Sequence, residues 1–368
     1  MAKRRLPGPI FDYIDGAADD EVTYRRNTAA FEACDLVPNV LRGVAEVDMS
    51  VTVMGQKLAM PVYCSPTALQ RLFHHQGERA VAAAAAKHGT MFGVSSLGTI
   101  SLEEARQISA GPQVYQFYFH KDRGLNHEMM ARAKNAGVQA MMLTVDSITG
   151  GNRERDKRTG FAIPFKLNLA GVTQFAIKPS WAIGWLTHER FALPQLENHV
   201  KMDGGGAVDQ PLLHRNARSL DVVGRCGGDG ACLGRPFLPE GHHVGRRRQT
   251  RRRHRLHRHR AVQSWRAPAR RLTERLRSLA EIVDAVGDRI DVMMDGGVQR
   301  GTHVLKALSL GAKAVGLGRY YLFPLAAAGR PGVERALETM RTEIERGMKL
   351  MGCTSVDQLT RRNLRFRS

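Results

Sequence analysis

The chain has 368 residues, 43% of them hydrophobic, and a formal net charge of +20 at pH 7. That is enough for a full α/β core in one unit, and no run of about 18 apolar residues reads as a membrane-spanning helix. Residues 246–277 hold 14 arginines, no lysine and one acid, Glu274, so this window carries +13 and the remainder only +7. The basicity is therefore local and argues against a nucleic-acid surface spread over the whole chain. The start, Met1-Ala2-Lys3-Arg4-Arg5 followed by Leu6-Pro7-Gly8-Pro9, does not read as a secretory signal. Five scattered cysteines, an odd number, point to a reduced, cytoplasmic setting rather than a disulfide framework.

From about residue 60, short apolar runs alternate with helical stretches. Met60 to Ser65 reads as a strand and Gln76 to Gly89, with its alanine run, as a helix. Met91 to Ser96 is a second strand, and Ser101 caps the helix that follows. Gln113 to Tyr118 is a third strand, a helix runs from about Leu125 to Asn135, and Ala140 to Asp146 is a fourth strand. Further on, Ile290 to Met294 and Ala314 to Leu317 are strands, with a helix from His303 to Leu310 between them. Continuous apolar strands alternating with helices imply βαβ units around a buried parallel sheet. An open doubly wound sheet would want a Gly-rich turn after the first strand, where this chain has Ser65-Pro66-Thr67-Ala68. Between about 205 and 278 glycine and arginine dominate, the periodicity fails, and two strands of an eight-stranded barrel have no counterpart.

Polar residues gather where the strands end: Ser95 and Ser96, Gln116 and Tyr118, Thr144 and Asp146, Asp295, Gly318 and Arg319. Any one of them could be a turn or cap residue. In a closed barrel, however, all of them face one mouth, where active sites form.

Several segments act together as a signature: Phe11-Asp12-Tyr13-Ile14-Asp15-Gly16-Ala17, Ser65-Pro66-Thr67-Ala68, Leu143-Thr144-Val145-Asp146, Asp295-Gly296-Gly297-Val298 and Gly316-Leu317-Gly318-Arg319. In these the chain resembles the FMN-dependent 2-hydroxy-acid dehydrogenases and oxidases, over residues 4 to about 204 and 279 to 367. The resemblance implies a (β/α)₈ TIM barrel, FMN as cofactor, and oxidation of an L-2-hydroxy acid to the 2-oxo acid, with an acceptor that is a quinone, a cytochrome or oxygen. It implies that Pro66, Thr67, Ala68 and Ser95 line the flavin ring and that Gln116 and Thr144 bond its polar edge. It implies that Asp295 holds ribityl hydroxyls, and that Gly296, Gly297, Val298, Gln299, Gly318 and Arg319 surround the phosphate. Gln299 stands where many members have arginine. Arg153 would clamp the substrate carboxylate, Tyr13 and Tyr118 would contact the substrate, and Asp146 would orient and charge a catalytic histidine. Leu97 and Gly98 replace the tryptophan and alanine of glycolate oxidase, which leaves substrate size open. The resemblance also implies a homo-oligomer.

The family's histidine, second arginine and flavin-facing lysine come from the fifth and sixth strands, which the basic stretch should supply. The sixth-strand motif reads S-N-H-G-G-R-Q-L-D-G. Val262 to Arg271 can be encoded as GTC CAA TCA TGG CGG GCG CCA GCT CGA CGG, and read one nucleotide later this gives S-N-H-G-G-R-Q-L-D and the start of a glycine codon. Trp265 has a single codon and forces glycine in the shifted frame, as the motif requires. By the same shift Leu238 to Val244 can become C-L-K-G-I-M-S. The reading is that residues 210–278 are out of frame, with the lysine falling at Glu240, the histidine at Ser264 and the second arginine at Ala267. GC-rich codons read out of frame commonly give arginine, which accounts for the +13.

Two rival readings differ in class. An arginine-rich nucleic-acid binder would use Arg246 to Arg260, but the stretch lacks interleaved aromatics apart from Trp265. A flavin-binding relic would hold FMN without turnover. Separately, the apolar and aromatic residues between about 165 and 190, interspersed with Lys166 and Lys178, suit a peripheral contact with the inner face of a membrane.

Overall fold

The computed structural model describes residues 1–118, 120, 122–145, 151–161, 173, 175, 177–196, 237–240, 261–264 and 274–367. Eight parallel strands close into a barrel. In chain order they are Val62–Cys64, Met91–Ser95, Gln113–Tyr118, Ala140–Thr144, Phe237–Glu240, Ala261–Ser264, Val292–Asp295 and Ala314–Leu317. Each pairs with its sequence neighbour, and the eighth returns to the first through Val315 opposite Val62 and Leu317 opposite Cys64, so no edge is left open. Helices cover the outer face of the barrel and bury its first four and last two strands: Gly77–Lys87, Leu102–Ile108, Arg123–Asn135, Glu274–Val286, Gly301–Ser309 and Arg319–Ala328. The 21-residue helix Arg330–Leu350 packs against three of these, burying Val333, Leu337, Met340 and Ile344.

Helix starts follow local chemistry. The Ser101 hydroxyl accepts the Glu104 N–H, and the Asp122 carboxylate accepts the N–H groups of Gly124 and Leu125. The Asp122 cap sets the third helix to begin at Arg123, two residues before the sequence pattern places it.

The fifth and sixth strands, which the sequence pattern leaves without counterparts, are four residues each. Such short strands carry no readable period, and the free edges of their neighbours fix them: Thr144 lies opposite Glu240, and Ser264 opposite Asp295. The two pair with each other only through Glu240 and Val262.

A hairpin of Val51–Val53 and Gln56–Leu58 plugs the N-terminal end of the barrel. Its Val53, Met54 and Leu58 join Tyr63, Met91, Val114, Met142 and Met293 in the interior, and Gln56 exchanges hydrogen bonds with the backbone of Gln113. With that end filled, the mouth at the C-terminal ends of the strands is where a site can form. Among the described residues no helix is long and apolar enough to cross a membrane.

Candidate active site

The polar strand ends converge as the pattern requires. The Ser95 hydroxyl donates to Gln116 Oε1 at 3.2 Å, and Gln116 Nε2 donates to the Thr144 hydroxyl at 2.6 Å. One hydrogen-bonded chain thus runs across the ends of the second, third and fourth strands, with Ser95 and Gln116 buried and Thr144 half-buried. Tyr118 lies opposite Thr144 in register and is half-buried. Asp146 lies outside the described residues.

Pro66, Thr67 and Ala68 form a half-buried shelf after the first strand. A fully buried tyrosine from the eighth βα unit holds it. The Tyr321 hydroxyl donates to the Ser65 carbonyl at 2.8 Å and so accepts from the Thr67 hydroxyl at 2.6 Å, while Gln70 Nε2 reaches both hydroxyls. A second brace is Glu78, whose side chain is wholly buried. Its Oε1 accepts the backbone N–H groups of Gln70 (3.3 Å) and Thr99 (2.8 Å), and its Oε2 accepts the Thr99 hydroxyl. Burial pushes this carboxyl above its ordinary range, against the pull of those hydrogen bonds. Neither residue is singled out by sequence reasoning. The signal for Glu78 was its position: an acid on the same helix face as the buried Val81, Ala82 and Ala85.

Opposite, Asp295 ends the seventh strand in register with Gly316 of the eighth. A Cβ at Gly316 would stand 2.5 Å from Ser65 Oγ and 2.8 Å from the Asp295 carboxyl carbon, so glycine there lets the two polar groups approach. Gly318 caps the helix Arg319–Ala328, and a Cβ on it would meet nothing within 4 Å. That open space lies before a helix N-terminus, where backbone N–H groups and the helix dipole favour an anion. Gly297 has a different reason. Its φ is +73°, and a Cβ would fall 2.3 Å from the Asn27 carbonyl oxygen, so close packing against Asn27 and Thr28 demands glycine. Gly296 has φ 97°, Val298 is buried, and Gln299 is exposed with its backbone N–H donated to His303.

Arg319 is a clamp as well as a charge. Its Nε and Nη2 donate to the carbonyls of Ile14 and Gly16, both at 2.7 Å, and its guanidinium lies over the Tyr24 ring at 4.4 Å. Burial pulls its pKa below the ordinary arginine range. These contacts seat the N-terminal helix Gly8–Asp15 beside the mouth. Arg155 seats it from the other side, bonding Asp15 at 2.6 Å and Glu21 at 3.1 Å.

That helix carries Tyr13, whose ring stacks on Phe161 at 4.4 Å and on Phe73 at 6.2 Å. Arg153 lies over the Tyr13 ring at 4.9 Å, donates to the Tyr13 carbonyl and pairs with Asp156. Burial raises the Tyr13 phenol above its usual range, partly opposed by the Arg153 charge. Tyr13 and Arg153 are thus brought together. The Arg153 fork rests on the Asp156 carboxylate, the group its planar geometry fits.

A sequence profile described as FMN-dependent dehydrogenase matches residues 2–219 and 270–366. The chain belongs to this family of FMN-dependent 2-hydroxy-acid oxidases and dehydrogenases. Among its relatives, glycolate oxidase 1 of Oryza sativa subsp. indica is 34% identical over 381 residues, covering 99% of this chain and 93% of that protein. An L-lactate oxidase of Nostoc sp. is 34% identical over 368 residues, covering 98% and 94%. A crystal structure of (S)-mandelate dehydrogenase, described as a monotopic membrane protein, superposes with a TM-score of 0.87 at 25% identity, covering 100% of this chain and 97% of that one. The FMN-dependent dehydrogenase fold therefore accounts for the closed barrel. The donor set of the mouth also fits FMN: a hydroxyl–amide–hydroxyl chain for the ring edge, a carboxylate for hydroxyls, and an open helix N-terminus for phosphate.

Proposed function

We propose that this mouth oxidises a small L-2-hydroxy acid, with Pro66 to Ala68 and Ser95 along the flavin ring, Gln116 and Thr144 at its polar edge, Asp295 on the ribityl chain, and Gly318 with Arg319 at the phosphate. The observation that carries the assignment is the Ser95–Gln116–Thr144 chain, which presents alternating donors and acceptors on one side of a barrel mouth whose other side holds an open helix N-terminus. FMN, when bound, supplies the two-electron acceptor. Arg153 can exchange Asp156 for the substrate carboxylate, and Tyr13 and Tyr118 flank the substrate. Glycolate, lactate and mandelate are the substrates that the relatives' names suggest.

The proton-accepting base must come from the sixth strand, and there Ser264 sits opposite Asp295. Glu240 ends the fifth strand opposite Thr144. These are the two positions at which the shifted reading puts the histidine and the lysine, and the family profile breaks off over residues 220–269. Both facts support the view that residues 210–278 are out of frame, with the barrel's backbone plan retained and Ser264 and Glu240 standing, in the chain as written, where the activity needs the histidine and the lysine. Sequencing the coding region decides this: the view requires compensating single-nucleotide shifts near the two ends of the segment, and an unbroken frame contradicts it.

Peripheral membrane contact is supported by the exposed Ile177, Ile183 and Leu186 on the segment that carries Lys178 and Arg190. Sedimentation with vesicles containing anionic lipid, lost in an Ile183→Ser, Leu186→Ser variant, tests it. No loss relative to the parent chain rejects it.

A further inference from the structure

Between the loop after the first strand and the helix Pro179–Thr187 lies a cavity of about 160 Å³. Buried Leu6, Phe73 and Ala326 form its apolar floor. Trp181, Trp185 and Phe191 run along one wall as a ladder of half-buried rings, with centroid spacings of 5.3 Å and 5.8 Å. The ladder is fixed at Trp181, whose indole N–H donates to the Leu72 carbonyl at 2.7 Å. The rim is polar and exposed, with Arg5, His188 and Glu189. A cavity of about 150 Å³ holds one benzene, so this one takes a single six-membered ring with a polar group at the rim.

Charge sets the class of ligand. Apart from the histidines, the ionised groups of the lining are two cations, Arg5 and Arg71, and one anion, Glu189. Glu189 is held mainly from outside: its Oε2 lies 2.7 Å from Arg79 Nη2 but 3.8 Å from Arg71 Nη1. Arg71 is 7% exposed, and its Nη groups donate to the carbonyls of Glu189 and Arg190. Its Nε has no acceptor among the described residues. Burial and the nearby Arg79 pull its pKa below the ordinary arginine range, as expected of a buried cation short of a counter-ion. At the rim, Arg5 Nη1 donates to the Ala327 carbonyl at 2.6 Å, which holds the second guanidinium in place. A cation is therefore repelled. A small inorganic anion would leave the apolar floor and the ring ladder without a partner.

We propose that this cavity is a second binding site, separate from the substrate site, for an aromatic monocarboxylate. The ring lies on the apolar floor and against the tryptophan ladder, and the carboxylate pairs with the guanidiniums. Phe73 gives the site a consequence. It lines the cavity and its ring stacks on Tyr13 of the substrate site, with centroids 6.2 Å apart. A ligand seated on Phe73 is thus coupled to the substrate site, and the coupling is reciprocal. Every residue that lines the cavity lies outside 210–278, so the proposal is independent of the frame reading.

The test is direct binding to the full chain carrying Trp265→Phe, so that emission comes only from Trp181 and Trp185, which line the cavity. 4-Nitrobenzoate, whose nitro group quenches indole emission, is titrated beside its uncharged counterpart, 4-nitrobenzamide. The proposal predicts saturable quenching, with the carboxylate bound about tenfold tighter than the amide. Arg5→Gln should weaken the carboxylate by about threefold and leave the amide unchanged. Gly184 lines the cavity, and a Cβ on it would meet only His75 Nδ1, at 3.8 Å. Gly184→Leu therefore fills the space while favouring the helix, and should abolish saturation by both ligands with unchanged circular dichroism. Linear quenching overturns the proposal. So do equal affinities for carboxylate and amide, an Arg5→Gln chain with the parent's affinity for the carboxylate, or a Kd that Gly184→Leu leaves unchanged. Arg153→Leu separates the two sites: saturation lost in that variant places the ligand in the substrate site and likewise overturns the claim.

Discussion

Removing the Glu78 carboxylate strips three donors at once. The side chain is 0% exposed and bridges the loops after the first and second strands through the Gln70 and Thr99 N–H groups and the Thr99 hydroxyl. In Glu78→Ala no water-accessible partner replaces it. Each buried donor left unpaired costs on the order of 1–3 kcal/mol, so with three donors the chain should lose about 3–9 kcal/mol by urea denaturation. Glu78→Gln keeps an amide oxygen for the two backbone donors, and the Thr99 hydroxyl can turn to accept the new N–H. That variant should lose only about 1 kcal/mol. Because the two loops carry Thr67 and Leu97 into the mouth, FMN affinity should fall more than tenfold in Glu78→Ala and less than threefold in Glu78→Gln. The pH dependence has a definite sign. A carboxyl raised in the folded state favours folding while protonated, and that contribution is lost as pH rises from the ordinary 4.5 through the raised value. Glu78→Gln should be flat over that window. A Glu78→Ala variant within about 1 kcal/mol of the parent, or a Glu78→Gln variant equal to it in cost, refutes the bracing argument.

Other outcomes follow from the same geometry. Gln116→Leu severs both the Ser95 and Thr144 bonds and should weaken FMN binding by about tenfold, corresponding to ~1.4 kcal/mol, read by flavin fluorescence; an unchanged Kd removes Gln116 from the flavin site. Tyr321→Phe frees the Thr67 shelf from the Ser65 carbonyl and should cost about 1–3 kcal/mol in urea stability. His74 and His303 are both pulled to about 4, chiefly by burial. A depressed folded-state pKa gives stability that is present above 6.5 and lost as pH falls toward 4. The urea midpoint should drop across that range, and His303→Gln should flatten the drop.

The parts of the fold that could be read in the sequence were those where burial imposes a period. Met91–Ser95, Ala140–Thr144 and Ala314–Leu317 are apolar runs up to their last residues, with both faces covered, and polar residues at the strand ends marked the mouth. The N-terminal plug was not legible, because Val51–Val53 and Gln56–Leu58 are three residues each and look like any short turn. The fifth and sixth strands are fixed by their neighbours' edges rather than by their own residues. In the site, Ser95, Gln116 and Thr144 were legible and do converge. Arg319 and Gly297 were read as phosphate ligands, yet each also serves contacts with residues 14–28 that lie far away in sequence. Tyr321 was missed because its bracing depends on contacts between loops, which no local pattern encodes, and Glu78 left one signal, an acid on the buried face of its helix.

The most direct measurement is anaerobic flavin reduction in two proteins of confirmed mass, the chain as it stands and one whose coding frame is shifted by a nucleotide across residues 210–278. Both are loaded with FMN and mixed with glycolate or L-lactate. The account predicts that both bind FMN and that only the shifted chain, with histidine in place of Ser264, bleaches the flavin's visible absorption. Bleaching at equal rates in both, or a shifted chain that binds FMN and is never reduced, contradicts it.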